Sequence, residues 1–156
     1  MEHKSSAVDG VVVKEIARHK DERGYFAELM KKGEPGFHRI EQTSYSLSLP
    51  GVIKAFHFHD YFETWVVLQG EAQLVIHDTR PDSSTFGATQ VIYAGESHPL
   101  VVTIPPKVAH GYRVLGERSV GMLYHAEEAY DPGRKDQIGN IPHNSPEIGF
   151  DWNMTP

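Results

Sequence analysis

The chain contains no cysteine, which excludes disulfide bonds, zinc–thiolate sites and thiol nucleophiles. This composition is compatible with a reducing compartment, and we expect a cytoplasmic protein. Residues 1–10 are polar and lack the apolar stretch of a secretory signal. No apolar run approaches the roughly 18 residues that a membrane helix needs, so we expect no membrane partner.

Positive charge is also scarce, with 15 Lys and Arg against 21 Asp and Glu and a net charge of −6. This balance argues against nucleic acid as a partner. Amphipathic patterns of helical period longer than about two turns are missing. In their place, 14 Gly and 10 Pro are spread along the 156 residues, a distribution that favours short strands joined by turns.

Segments typical of strands recur between these turn signals, at a spacing that suggests a β-sandwich or a closed barrel. We predict one domain over residues 1–156, with a flexible segment at 1–10 and a surface wrap at 131–156. The predicted strands are 11–16, 25–30, 41–49, 52–59, 64–69, 72–77, 89–93, 99–104, 111–115 and 120–125.

A cluster of chemically active residues follows the Pro-Gly turn in the middle of the chain. Gly51, His57, His59, Glu63 and Gly70 occur in the order and spacing of the first cupin motif. Because the two histidines are two residues apart on a predicted strand, their rings point to the same face. The motif predicts a cupin-type, jelly-roll double-stranded β-barrel.

The same cluster is compatible with a metal centre. His110 follows two prolines, as in the second cupin motif, although Lys107 and Val114 replace that motif's Gly and Asn. Three imidazoles and a carboxylate would suit Mn, Fe, Ni or Zn. The alternative is that these histidines are hydrogen-bonded barrel residues without an ion. The candidate ligands are His57, His59, Glu63 and His110.

Further stretches extend the pattern over most of the chain. They are 21–28, 42–46, 53–58, 78–80, 84–87, 104–106, 109–112, 130–132 and 148–152, together with Tyr124. In this order they resemble the dTDP-4-dehydrorhamnose 3,5-epimerase family of the cupin superfamily. The resemblance implies an isomerase of polysaccharide (rhamnose) biosynthesis that inverts C3, C5 or both of a dTDP-4-keto-6-deoxyhexose.

The resemblance also implies residue roles. His57 would be the base and Tyr124 the acid, and no organic cofactor would be required. A homodimer is implied as well, because the segment carrying Arg23 reaches the neighbouring subunit's site in the family. The implied substrate contacts are Arg23, Phe26, Glu28, Gln42, Lys54 and His110.

Several positions depart from the family pattern. Lys54 replaces an Arg, His59 replaces a Gln, and residues 63–65 stand where the family has a Lys that steadies the enolate. The family's Asp partner of the base is expected beyond the last residue, which leaves Asp151 or a residue elsewhere to support His57.

Three hypotheses follow. The first is the nucleotide-sugar epimerase. The second is a metal-binding cupin with another isomerase or oxygenase activity. The third is a cupin that binds sugar nucleotides without catalysis.

Overall fold

The computed structural model describes residues 5–153, in which every regular element is a β-strand. None of the described segments is a helix long and apolar enough to cross a membrane. The strands are β1 Val12–Glu15, β2 His19–Asp21, β3 Gly24–Phe26, β4 Gln42–Ser48, β5 Ile53–His59, β6 Glu63–Gln69, β7 Glu71–His77, β8 Thr89–Gly95, β9 Leu100–Ile104, β10 Ala109–Leu115, β11 Val120–Ala126 and β12 Ile138–Asn140.

Two five-stranded sheets, ordered β1-β9-β6-β11-β4 and β12-β5-β10-β7-β8, form the body of the molecule. All strand pairs are antiparallel. The main core lies among strands of both sheets and includes Trp65, Leu74, Val102 and Met122. The sheets therefore enclose a jelly-roll barrel, as the sequence predicts.

A second core lies beside the first and uses the C-terminal segment. Phe56 and Val75 belong to the β12–β8 sheet, and Ile148, Phe150 and Trp152 pack with them. Residues 131–153 thus do more than wrap the surface, because they contribute strand β12 and three buried apolar side chains. Burial on both faces also explains why strand β7 is apolar almost without interruption.

The N-terminal segment is held more closely than the sequence predicts. Val8 is buried, and its backbone N–H donates to the Gln90 side chain at 3.0 Å. Ser6 donates to the Thr89 carbonyl at 2.9 Å. Residues 5–10 therefore make contacts with strand β8 that the sequence does not predict, and residues 1–4 lie outside the described range.

Strand β4 alternates serines with larger, more apolar residues, and its polar side faces inward. Ser44, Ser46 and Ser48 point toward the barrel, whereas Tyr45 and Leu47 are more than half exposed. Because β4 is an edge strand, it presents an apolar row on the outside of the barrel.

Candidate active site

A cavity of about 290 Å³ opens at one end of the barrel. Its walls come from both sheets and from the loops beside them. The lining residues are Gln42, Ser44, Lys54, His57, His59, Tyr61, Glu63, Trp65, His110, Tyr112, Tyr124, Ala126, Tyr130 and Ile138. The structure therefore brings together His57, Tyr124, Gln42, Lys54 and His110, which the sequence predicts as site residues.

A β-bulge between β5 and β10 places Lys54 and His57 on the same wall. His110 pairs with His57 and Tyr112 pairs with Lys54, so two steps along β10 correspond to three steps along β5. Gly111 lies at this irregularity, where an added Cβ would stand 2.2 Å from the Ala55 Cβ. Only a residue without a side chain permits that approach.

His57 is an exposed residue of β5 whose ring is oriented by strand β12. Its Nδ1 lies 2.6 Å from Oδ1 of Asn140, its backbone partner in the sheet. An amide oxygen accepts hydrogen bonds, so Nδ1 carries the proton and Nε2 keeps the lone pair. Asn140 thus occupies the supporting role for which the sequence offered Asp151 or a residue elsewhere.

Tyr124 lies on the opposite sheet, in strand β11. Its hydroxyl is hydrogen-bonded to Oγ of Ser46, and its ring packs edge-on to Trp65 at 6.2 Å between centroids. Burial raises the pKa of Tyr124 above its ordinary value, and the neighbouring Tyr112 adds to this effect while Ser46 opposes it. Tyr124 is therefore a neutral hydroxyl at physiological pH, suited to give up a proton rather than to take one.

Three of the four predicted metal ligands converge on the cavity wall. One donor atom from each of His59, Glu63 and His110 lies within 4.8 Å of the other two. The ring of His57 is held by Asn140 instead, and His57 does not belong to this group. Among the described residues, no hydrogen bond reaches Nδ1 of His59 or Nε2 of His110.

Burial controls the protonation of this group. It raises the pKa of Glu63 to about 7, although a hydrogen bond from Trp65 acts in the opposite sense. It lowers the pKa of His59 to about 4, with the nearby His57 contributing, and that of His110 to about 3, with His59 contributing. Both imidazoles are neutral at physiological pH and have lone pairs to offer.

The structure does not bring Arg23, Phe26 and Glu28 to this cavity within one chain. Arg23 and Phe26 lie on the separate β2–β3 hairpin, where Arg23 contacts Asp21 at 2.5 Å. Glu28 is exposed and lies 3.4 Å from Lys31. Within one chain, Glu28 does not line the cavity that Gln42 lines, and residues 19–26 form their own two-stranded sheet outside the barrel. A pocket role for Glu28 stays a prediction.

Sequence reasoning missed two hydrogen-bond partners. Asn140 lies in the segment predicted as a surface wrap, and Ser46 lies in a predicted strand with no role assigned to its side chain. Trp65 packs in the main core and also lines the cavity, where its Nε1 donates to Glu63 at 2.5 Å. The serine row of β4 was an available signal, since a polar row opposite an apolar one can face a polar cavity.

Comparison with known proteins places this geometry in a family. The model for dTDP-4-dehydrorhamnose 3,5-epimerase matches residues 5–156. The spore coat polysaccharide biosynthesis protein SpsL of Bacillus subtilis (strain 168) is 46% identical over 147 residues, which are 94% of this chain and 97% of that protein. The dTDP-4-dehydrorhamnose 3,5-epimerase of Methanothermobacter thermautotrophicus is 30% identical over 154 residues, covering 94% of this chain and 81% of that protein.

A solved structure agrees with these sequence matches. The dTDP-6-deoxy-D-glucose-3,5-epimerase of Legionella pneumophila Philadelphia 1, crystallised in complex with dTDP-4-keto-L-rhamnose, superposes with a TM-score of 0.84 at 26% identity. The match covers 97% of this chain and 82% of that chain. Sequence and fold agree, and the chain belongs to the dTDP-4-dehydrorhamnose 3,5-epimerase family.

Proposed function

We propose that this protein is an epimerase that inverts C3, C5 or both of a dTDP-4-keto-6-deoxyhexose. The observation that carries the proposal is that His57 and Tyr124 line one cavity from opposite sheets, each oriented by its own hydrogen-bond partner. Family membership favours this reaction over the oxygenase and non-catalytic alternatives.

The chemistry follows from the substrate's C4 ketone, which acidifies the C–H bonds on C3 and C5. Nε2 of His57 takes the proton, and the electron pair of the broken C–H bond moves into an enolate. Tyr124 then delivers its hydroxyl proton to the opposite face of the same carbon, which inverts it. Solvent restores both residues to their starting protonation states.

The negative charge of the enolate and of the diphosphate needs a positive partner. Among the described residues that line the cavity, Lys54 is the one that carries a permanent positive charge. As a point charge at the cavity mouth, it suits the diphosphate. We assign Gln42 and His110 to the sugar-binding wall, and no organic cofactor enters the reaction.

We also propose that the active protein is a homodimer in which the β2–β3 hairpin completes the neighbour's cavity. Tyr25 and Phe26 are 58% and 65% exposed on strand β3 of this hairpin, although they are aromatic. The exposed Tyr45 and Leu47 on edge strand β4, with Leu49 just after it, offer a further apolar surface for pairing. Such an arrangement would bring Arg23 and Phe26 to a dTDP moiety. Cytoplasmic location remains a prediction from the sequence.

The reaction is tested by proton NMR of dTDP-4-keto-6-deoxyglucose in deuterated water. With the purified protein, the C3 or C5 proton signal should disappear faster than without it, and the carbon that exchanges identifies the position of inversion. Unchanged signals at both carbons would refute epimerisation of this substrate.

The dimer is tested by mixing two inactive variants, His57→Ala and Arg23→Ala, after partial denaturation and refolding together. If sites are shared, half of the randomly reassorted dimers contain one intact site, and activity should return to about a quarter of the wild-type value. Activity that stays at the level of the separate variants would place Arg23 outside the neighbour's site.

A further inference from the structure

His59, Glu63 and His110 form a compact set of donors in the wall of the cavity. Their nearest ligand atoms lie within 4.8 Å of one another. Bonds of about 2.0–2.3 Å to one ion require separations of at most about 4.6 Å, so the donors need to approach one another only slightly when an ion binds. Two imidazoles and one carboxylate are ligands that divalent first-row transition metals accept, and three protein ligands leave positions open for other donors.

The ring of His110 is already set in the form that binds a metal. Its Nδ1 lies 2.9 Å from the carbonyl oxygen of Val108, so Nδ1 must carry the hydrogen and Nε2 the lone pair. His110 is 2% exposed, and Nε2 has no hydrogen-bond partner among the described residues. A buried acceptor without a partner is costly for the fold unless a ligand compensates it.

His59 and Glu63 offer two further donor atoms that lie close to each other. Nδ1 of His59 lies 3.5 Å from Oε2 of Glu63 and makes no hydrogen bond with any described residue. The other carboxylate oxygen of Glu63 accepts from Nε1 of Trp65 at 2.5 Å. Glu63 is thus oriented by one oxygen, which leaves Oε2 available as a ligand.

Aromatic packing fixes the two imidazoles. The His59 ring stacks on Tyr61 with centroids 4.9 Å apart, and the His110 ring meets Trp65 edge-on at 5.0 Å. The two histidine rings are themselves 5.0 Å apart. Ligands held in this way lose little conformational entropy when an ion binds, which favours affinity.

We propose that His59, Glu63 and His110 bind one divalent transition-metal ion, with its open positions facing the cavity. His57 is outside the set because it does not belong to the group of donors that lie within 4.8 Å of one another, so the site has three protein ligands rather than four. Metal binding goes beyond the proposed function and is measured without substrate. If the epimerase proposal also holds, the ion would add positive charge to the wall where negative charge develops.

The test uses tag-free protein that has been stripped with a chelator and dialysed. Titration with Zn²⁺ by calorimetry, and with Co²⁺ by visible absorption, should each give one ion per chain. Glu63→Gln keeps the shape of the side chain and removes its charge, and His110→Gln removes a ring nitrogen. Each variant should weaken binding by at least about 10-fold.

Glu71→Gln is the matched control, because Glu71, like Glu63, is the first residue of a β-strand and accepts a hydrogen bond, in its case from the Ser97 N–H at 2.8 Å. It should bind metal like the wild type. Circular dichroism verifies that each variant is folded. If Glu63→Gln does not fold, His110→Gln is the variant that tests the site. Binding of less than about a tenth of an ion per chain, or wild-type affinity in a folded Glu63→Gln or His110→Gln variant, would overturn the proposal.

Discussion

The barrel holds two buried carboxylates whose surroundings differ sharply. Asp78 is fully buried and accepts hydrogen bonds from Arg80, Ser83 and Thr85, with the Ser83 and Thr85 hydroxyls each at 2.6 Å. The Glu63 side chain is 12% exposed and accepts one hydrogen bond, from Trp65. Asp78 therefore accepts several hydrogen bonds, whereas Glu63 accepts one and has a second oxygen available for a ligand.

The pKa values of these two carboxyl groups follow the number of hydrogen bonds that each one accepts. Burial pushes the pKa of Asp78 upward, but the hydrogen bonds from Arg80, Ser83 and Thr85 outweigh it and hold the pKa well below its ordinary value. For Glu63 burial wins over the single hydrogen bond and raises the pKa to about 7. A saturated carboxylate fixes a loop, whereas an unsaturated one at a cavity is ready for a ligand. Substitutions near Glu63 should therefore change chemistry, and those near Asp78 should change stability.

The largest effect is expected at the base. His57→Gln should slow proton exchange at least about 100-fold, because Gln cannot accept a proton at neutral pH. Since His57 is exposed, the melting temperature should change little. Tyr124→Phe is the companion variant and should still exchange the proton while completing fewer inversions. Proton NMR in deuterated water measures exchange and inversion for both variants. Exchange at the wild-type rate by His57→Gln would show that His57 is not the base.

The next effect is expected on stability. Asp78→Asn leaves Arg80 without its buried ionic partner and should lower the free energy of unfolding by about 2–4 kcal/mol, as measured by urea denaturation. Proton exchange at 25 °C should remain near the wild-type rate, because Asp78 does not line the catalytic cavity. A loss of exchange without a loss of stability would reverse the assignment of the two carboxylates.

The same site should govern acid denaturation. The folded-state pKa of Asp78 lies below its ordinary value of 3.8, so the unfolded chain binds the proton more tightly. The stabilising contribution is therefore present at neutral pH and is lost as the pH falls below about 4. Urea denaturation between pH 7 and pH 3 should show a steeper decline for the wild type than for Asp78→Asn. Equal slopes would contradict the low pKa of Asp78.

Most of the fold could be predicted from the sequence because its signals are local. Turn residues and β-rich segments predicted ten strands, all present within a few residues of their predicted ends. Strands β2 and β12 were missed, since each has three residues and no apolar alternation. Strand β4 was found, but its alternation does not say which side is covered. That depends on what lies across the barrel, which no local pattern encodes.

The candidate site was predictable where a motif covers it and unpredictable where a partner comes from afar. His57, His59 and Glu63 lie within one spaced motif, and His110 lies in another. Asn140 is 83 residues from His57 and sits in a polar segment with no signal of its own. Strand pairing between β12 and β5 creates this contact, so the support of the base is a property of the tertiary structure.

The smallest effect is expected at Asn140, whose side chain is hydrogen-bonded to His57 but does not line the cavity. Asn140→Ala should lower kcat by about 10-fold and leave KM nearly unchanged, because the ring loses the hydrogen bond that fixes its tautomer and orientation. Asn140→Asp should restore kcat and move the acid limb of the kcat/KM–pH profile to higher pH, since a carboxylate stabilises the imidazolium. Asn144→Ala, at an exposed asparagine of the same segment, is the control and should do neither. An Asn140→Asp profile that overlays the wild type would mean that Asn140 supports the fold of β12 rather than the base.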